Sequence, residues 1–299
     1  MPITRRRALT WLGAAFGAAA ACAGGAALVD AAVLPGRSVL NQALGRCAAD
    51  DPAREPRATP GPSVSGTFRS PARRREVAFA LSYPPGYAPG ARLPVCLALH
   101  GYASDAAAAV RNGDYPAFIA GAVRAGAAPF VLAAVDGGDG YWHPHPDDDP
   151  LTMLTGEFLP LLATRGLRTD RVAVAGWSMG GYGALLCALT RPELFRAVVA
   201  TSPAIFHSYA DARAVNPGAY DSAGEWDRYD VLARAREFAG LPLRVAIGAA
   251  DPFTPAVRAW RDRLPDPELV RISTGCHDGR FWTSVAPEQV RAISAALAG

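Results

Sequence analysis

Apolar and polar positions change their rhythm along the chain. Val64 to Arg69 and Glu76 to Tyr83 alternate apolar and polar residues, the period of half-buried strands, and predict an antiparallel pair. Downstream, Leu93 to Leu99, Phe130 to Val135, Val172 to Ala175, Ala197 to Thr201 and Leu243 to Ile247 are short, nearly continuous apolar runs, with a weaker one at Leu269 to Ile272. Runs of this kind predict parallel strands covered on both faces. Between them lie stretches with helical spacing: Tyr115 to Ala125, Leu151 to Arg165, Gly180 to Thr190, Pro255 to Leu264 and Pro287 to Leu297. Strand and helix in alternation predict an α/β domain, a mostly parallel doubly wound sheet with helices on both faces. Ligands of such sheets sit at the carboxyl ends of the strands, so the chemistry is expected in the loops there.

Composition narrows the function classes. Hydrophobic residues make up 50% of the 299 and charged residues 19%, which excludes global disorder. The net charge of +3 is unevenly spread. Residues 1–75 hold 11 Arg against 4 acids, a balance of +7, whereas residues 76–299 hold 19 Arg against 23 acids, a balance of −4. The folded part therefore carries no basic face for nucleic acid.

The excess charge instead marks the N-terminus. Arg5-Arg6-Arg7 precedes an uncharged, Ala/Gly-rich run from Ala8 to Val29. This predicts an export leader of the twin-arginine type, or a membrane anchor, over residues 1–33. Cys22 follows three alanines in a weak lipoprotein box, so cleavage, lipidation and retention as an anchor all stay open. Residues 34–63 read as a short helix and a Pro/Ala-rich linker, and residues 64–299 as the catalytic domain. The expected location is the cell envelope or the extracellular space.

The five cysteines (22, 47, 96, 187 and 276) show no metal-type spacing. Without Cys22, four remain and three pairings are possible. Cys96 lies in an apolar strand and Cys187 on an apolar helix face, where both act as small buried hydrophobes.

Gly176-Trp177-Ser178-Met179-Gly180 matches G-x-S-x-G, with a strand before it and a helix after it. That context belongs to a nucleophilic serine held on a sharp strand-to-helix turn. Glycines two positions away on each side relieve the crowding, and Gly181, Gly183 and Ala184 keep the helix slim.

The stretch Ala175 to Ala184 resembles the nucleophile elbow of α/β-hydrolases of the esterase D group, which includes S-formylglutathione hydrolases, feruloyl esterases and mycobacterial mycolyltransferases. Further matches are Tyr83-Pro84-Pro85-Gly86-Tyr87, Leu99-His100-Gly101, Asp136-Gly137-Gly138 with Tyr141-Trp142, Asp251-Pro252-Phe253, and Gly275-Cys276-His277-Asp278 with Phe281-Trp282. The resemblance runs from about Ser65 to the C-terminus and implies the α/β-hydrolase fold and a serine carboxylesterase that needs no cofactor. In that family the chain order is Ser, acid, His. Only His207 and His277 follow Ser178, and His277 occupies the family's base position before the last helix. Asp251, after the strand ending at Ile247, takes the place of the acid. Asp278, Asp227 and Asp230 are weaker rivals. The mycolyltransferases use Glu as acid, so Asp251 points to the esterase side. The oxyanion hole falls to the backbone N–H groups of Met179 and Tyr102, and His100 shapes the loop beside Tyr102.

Other features are weighed against this frame. Trp142 to Asp149 mixes His and Asp, but no partner ligand stands out elsewhere, so no metal is expected and the segment reads as a solvated loop at the site's rim. Trp142, Trp177 and Trp282 are expected to line the substrate pocket. Residues Ile205 to Gly240 form an insertion, either a small cap or an ordinary crossover with aromatic packing. The expected function is ester hydrolysis through an acyl-enzyme on Ser178, acting on a small-molecule or lipid ester. Acyl transfer to envelope alcohols or sugars, and a non-catalytic envelope protein, are the alternatives.

Overall fold

The computed structural model describes residues 41, 44–48 and 57–298. The predicted leader, Cys22 included, lies outside the described residues. Among those described, no helix is long and apolar enough to cross a membrane.

Eight strands form one sheet: β1 (Ser63–Ser70), β2 (Arg75–Ser82), β3 (Pro94–Leu99), β4 (Val131–Val135), β5 (Arg168–Trp177), β6 (Phe195–Thr201), β7 (Leu243–Gly248) and β8 (Val270–Ser273). Their order is β1-β2-β4-β3-β5-β6-β7-β8. The β1–β2 and β2–β4 pairs are antiparallel and the rest parallel. The switch from alternating to continuous apolar pattern marks this change of environment. β1 shows every second residue to solvent, while all six residues of β3 are buried.

Successive residues of the central strands point to opposite faces. Val95, Leu97 and Leu99 join Val131, Val172 and Val174 in one apolar cluster with the helix Met179–Thr190. Cys96, Ala98, Ala134, Ala173 and Ala175 belong to the other, beneath the helices Tyr115–Arg124 and Gly279–Leu297. Small side chains on this second face let Phe118, Ile119, Val290 and Ile293 fill the space.

The last helix departs from the sequence-based expectation, and the insertion and the N-terminal stretch gain detail. The last helix begins at Gly279, not Pro287, because the Asp278 side chain accepts from the N–H groups of Arg280 and Phe281 and caps it. Pro287 then sits inside the helix. The insertion carries two short helices, Tyr209–Val215 and Ala223–Tyr229, each capped by a serine, Ser208 and Ser222. Residues 34–63, read as a short helix and a linker, contribute two buried residues, Asn41 and Cys47. Cys47 is bridged to Cys276, 229 residues away. On the chain-entropy account, closing so long a loop contributes up to about 5 kcal/mol.

The last helix is tied to the sheet by a buried polar group. Tyr115 Oη donates to Gln289 Oε1 at 2.5 Å, and Gln289 Nε2 donates to Thr201 Oγ1 at 2.9 Å. Gln289→Leu leaves the Tyr115 hydroxyl buried without its acceptor. We expect a loss of about 2 kcal/mol, measured as a lower urea midpoint with an unchanged slope.

Candidate active site

β5 ends at Trp177 and the chain turns at once into the helix Met179–Thr190, leaving Ser178 on the bend. Its backbone is forced to φ 58° and ψ −120°, a region non-glycine residues avoid. Hydrogen bonds hold it there: Ser178 N–H donates to Thr201 O at 3.0 Å, and Ser178 O accepts from Tyr182 and Ala204, each at 3.1 Å. The glycines are required by contact. A Cβ on Gly176 would collide with the Gly180 carbonyl, and one on Gly180 with the Leu99 carbonyl.

β7 ends at Gly248, and the loop after it carries Asp251. One carboxylate oxygen accepts the Phe253 N–H at 2.9 Å, fixing the turn, and the other lies 2.8 Å from His277 Nδ1. Asp251 therefore shapes the entry to the next helix and also reaches the imidazole. The Asp251 side chain is fully buried, whereas that of His277 is 23% exposed. His277 Nε2 lies 2.9 Å from Ser178 Oγ. A carboxylate only accepts, so Nδ1 carries the proton and Nε2 offers its lone pair to the serine hydroxyl. Phe253 and Trp282 meet the imidazole edge to face, at 5.2 and 5.5 Å between ring centres. The three residues expected from sequence thus form one hydrogen-bonded series.

Met179 opens its helix, so its N–H has no carbonyl partner within that helix. Tyr102 follows β3 and borders the same cleft. Gly101 packs close behind, since a Cβ there would stand 3.5 Å from the Ser178 Cβ. His100 is buried: Nε2 accepts the Gly137 N–H at 2.9 Å, so Nδ1 donates to the Gly101 carbonyl at 2.8 Å. It ties the loop carrying Tyr102 to the loop after β4.

The cleft at Ser178 has a volume of about 450 Å³. Trp282 lines it, whereas Trp177, at its border, is fully buried with its ring edge-on to Tyr115, and Trp142 does not reach it. Trp142 is 1% exposed and packs under the loop, its ring against Gly137 and Gly183 and its Nε1–H donating to His100 O. The expectation of a pocket-lining Trp142 is corrected accordingly. Phe253 and Val215 border the cleft instead. Phe253 follows Asp251 in a stretch already noted for its resemblance, whereas nothing near Val215 marks it in sequence. Val215 brings the insertion to the rim, and Phe206 of the insertion meets Phe253 edge to face. The insertion thus borders the cleft and packs through its aromatic residues.

The rim segment is not a solvated loop. Arg73, itself buried, makes a two-pronged ion pair with Asp148, at 2.6 and 2.9 Å, and also donates to the Asp136 carbonyl. His143 is wholly buried between Tyr220 and Tyr229. With His145 and Glu225 it brings ligand-type atoms within 4.8 Å of one another, so the insertion supplies the partner carboxylate that the sequence did not reveal. One nitrogen of each ring is already engaged: His143 Nε2 faces Ala219 O at 2.7 Å, and His145 Nε2 faces Gly140 O at 2.8 Å. The cluster braces the rim against the insertion.

The rival residues lie elsewhere. His207 is exposed. Asp278 caps the last helix. Asp230 accepts the Leu232 N–H, and burial raises its carboxyl above the ordinary value.

Residues 70–254 match the Esterase family model, and the chain belongs to that family. The S-formylglutathione hydrolase of Paracoccus denitrificans (strain Pd 1222) is 36% identical over 125 residues, which is 40% of this chain and 43% of that protein. The chain thus matches less than half the length of this relative. A ferulic acid esterase structure superposes with a TM-score of 0.66 at 20% identity, covering 79% of this chain and 98% of its own. An S-formylglutathione hydrolase from Agrobacterium tumefaciens gives 0.64 at 18% identity, covering 81% and 99%. These likenesses place the fold among the α/β-hydrolases.

Gly180→Ala tests the bend. The added methyl group meets a backbone carbonyl that cannot swing aside, so we expect a loss of about 3 kcal/mol or more in urea unfolding. Wild-type stability in the Gly180→Ala protein would contradict the packing described.

Proposed function

We propose that this protein is a serine carboxylesterase working through an acyl-enzyme on Ser178. The observation that carries the reading is the unbroken series Asp251–His277–Ser178, at 2.8 and 2.9 Å. Ser178 Oγ attacks the ester carbonyl while its proton passes to His277 Nε2. Asp251 holds the imidazole in the Nδ1–H tautomer and stabilises the imidazolium that forms. The N–H groups of Met179 and Tyr102 face the developing oxyanion, each contributing about 3 kcal/mol. His277 then gives its proton to the departing alkoxide. Water, deprotonated by the same imidazole, releases the acid and restores Ser178. The reaction needs no metal or organic cofactor.

The cleft favours apolar or aromatic acyl groups. Phe253 and Trp282 form its apolar wall, with Ala108 beside them. A formyl group would leave most of the roughly 450 Å³ unfilled, whereas an aromatic acyl group of feruloyl size would use it. Export belongs to the same reading, because a bridge such as Cys47–Cys276 persists in oxidising compartments.

Ser178→Ala is expected to abolish fluorophosphonate labelling and to lower p-nitrophenyl ester hydrolysis by about 10⁴-fold or more. Labelling that survives the substitution would overturn the assignment. Asp251→Asn is expected to lower kcat by about 10⁴-fold, because the amide cannot hold the same tautomer. Across a series of p-nitrophenyl esters, kcat/KM should rise from formyl to aromatic and medium-length acyl groups, and a maximum at formyl would remove the proposed acyl preference. With a sugar acceptor present, a transfer product in place of free acid would move the reading to acyl transfer.

A further inference from the structure

The two loops that present Asp251 and His277 are held together from two sides. Main-chain bonds join them directly: Ala249 N–H donates to Ser273 O at 2.7 Å, and Ala250 N–H to Gly275 O at 2.9 Å. The approach is close, since a Cβ on Gly248 would collide with the Gly275 carbonyl. The second set of contacts comes from the N-terminal segment. Asn41 Nδ2 donates to the Ala250 carbonyl at 3.0 Å, one residue before Asp251. Cys47 is bridged to Cys276, one residue before His277, with 4.8 Å between the Cα atoms. Asn41, Cys47 and Cys276 are all buried. Asn41 and Cys47 also belong to one unit, because Arg46 N–H donates to Asn41 O at 2.9 Å and its guanidinium to Asn41 Oδ1 at 3.3 Å.

We infer that Asn41 and Cys47 form a clamp that positions the catalytic acid and base, with Cys47 holding the base loop through Cys276 and Asn41 holding the acid loop through Ala250. The inference rests on the serine-esterase reading above. Cys47 and Cys276 both lie outside residues 70–254, the part shared with the family model. The base loop needs such a fixture. Gly275 sits at φ 148°, a conformation open chiefly to glycine, so its backbone is held by its contacts with Ala250 and Gly248 and not by its own side chain. A covalent tie at the adjacent residue adds to those contacts, and positional error of about 1 Å at a reacting group costs up to about 100-fold in rate.

The test uses the full chain, with p-nitrophenyl esters for turnover, a fluorophosphonate for the labelling rate and thermal melting for stability. Cys47→Ser is expected to lower kcat about tenfold, with KM changed by less than about twofold, in protein whose melting temperature stays above the assay temperature. Asn41→Ala is expected to act in the same direction, more weakly. Dithiothreitol, oxidised to its cyclic disulfide as it delivers two electrons and two protons to the bridge, should bring the wild type to the level of Cys47→Ser and leave that variant unchanged. A cleft bordered by Gly45, Cys47, Ala48 and Asp278 opens beside the bridge. The remaining described thiols, Cys96 and Cys187, are buried, and burial pushes the Cys187 thiol up to about 12.

A lower melting temperature with unchanged kcat would make the bridge merely structural and overturn the clamp. So would an equal effect of dithiothreitol on wild type and Cys47→Ser. If Cys47→Ser does not fold, reduction of the folded wild type decides the matter by the same criterion. Absence of Ser178-dependent labelling in the oxidised wild type would overturn the esterase reading and the clamp with it, whereas labelling at an unchanged rate in Cys47→Ser would overturn the clamp alone.

Discussion

The structure depends on how tightly the chain turns at Ser178. A strand buried on both faces passes into a helix with no intervening loop, and the residue at the bend takes a backbone conformation that side chains disfavour. Such strain persists only where neighbours over-determine it. Here Thr201, Tyr182 and Ala204 bond to the main chain of Ser178, and Gly176 and Gly180 leave room for the carbonyls that approach. The bend lifts one hydroxyl out of the sheet edge and starts a helix immediately beneath it. The free N–H groups of the first turn then lie next to the oxygen that reacts.

The sheet converts that local constraint into a site. β3, β5 and β7 run parallel, so their carboxyl ends open on the same edge and deliver Tyr102, Ser178 and Asp251 to one cleft. The base arrives from β8 at the sheet margin, where fewer neighbours flank a strand. Two devices compensate for this position. The last helix, capped at Asp278 and bonded through Gln289 to β6, fixes the chain after His277. The bridge to Cys47 fixes it before.

Much of this was legible in the sequence, for a physical reason. Strands buried on two faces must be apolar throughout, and half-exposed ones must alternate, so β1 to β8 announced themselves by pattern. The elbow was legible because few residues other than glycine fit at positions 176 and 180. What escaped was decided by contacts distant in sequence. The start of the last helix was misread because Pro287 suits a first turn, while the Asp278 cap outweighs that preference. Trp142 resembled a pocket residue until the fold set Gly137 and Gly183 against its ring. The partners of His143 and His145 came from an insertion 76 residues away, and the pairing of Cys47 with Cys276 spans 229 residues.

The site also runs from dry to wet along its own length. Asp251 has no exposed side-chain surface, His277 is about a quarter exposed, and Ser178 faces the cleft. In the buried half, low dielectric strengthens the carboxylate–imidazole bond and makes its geometry costly to disturb. In the open half, an ester and later a water molecule can reach the hydroxyl without moving the acid. Phe253 and Trp282 stand at the boundary, edge-on to the imidazole, while Nε2 is turned toward Ser178. A water-filled acid pocket would let Asp251 satisfy itself with solvent and release the imidazole. The aromatic pair and the clamped loops therefore serve one end: they leave the buried carboxylate no partners beyond the imidazole and the turn it already holds.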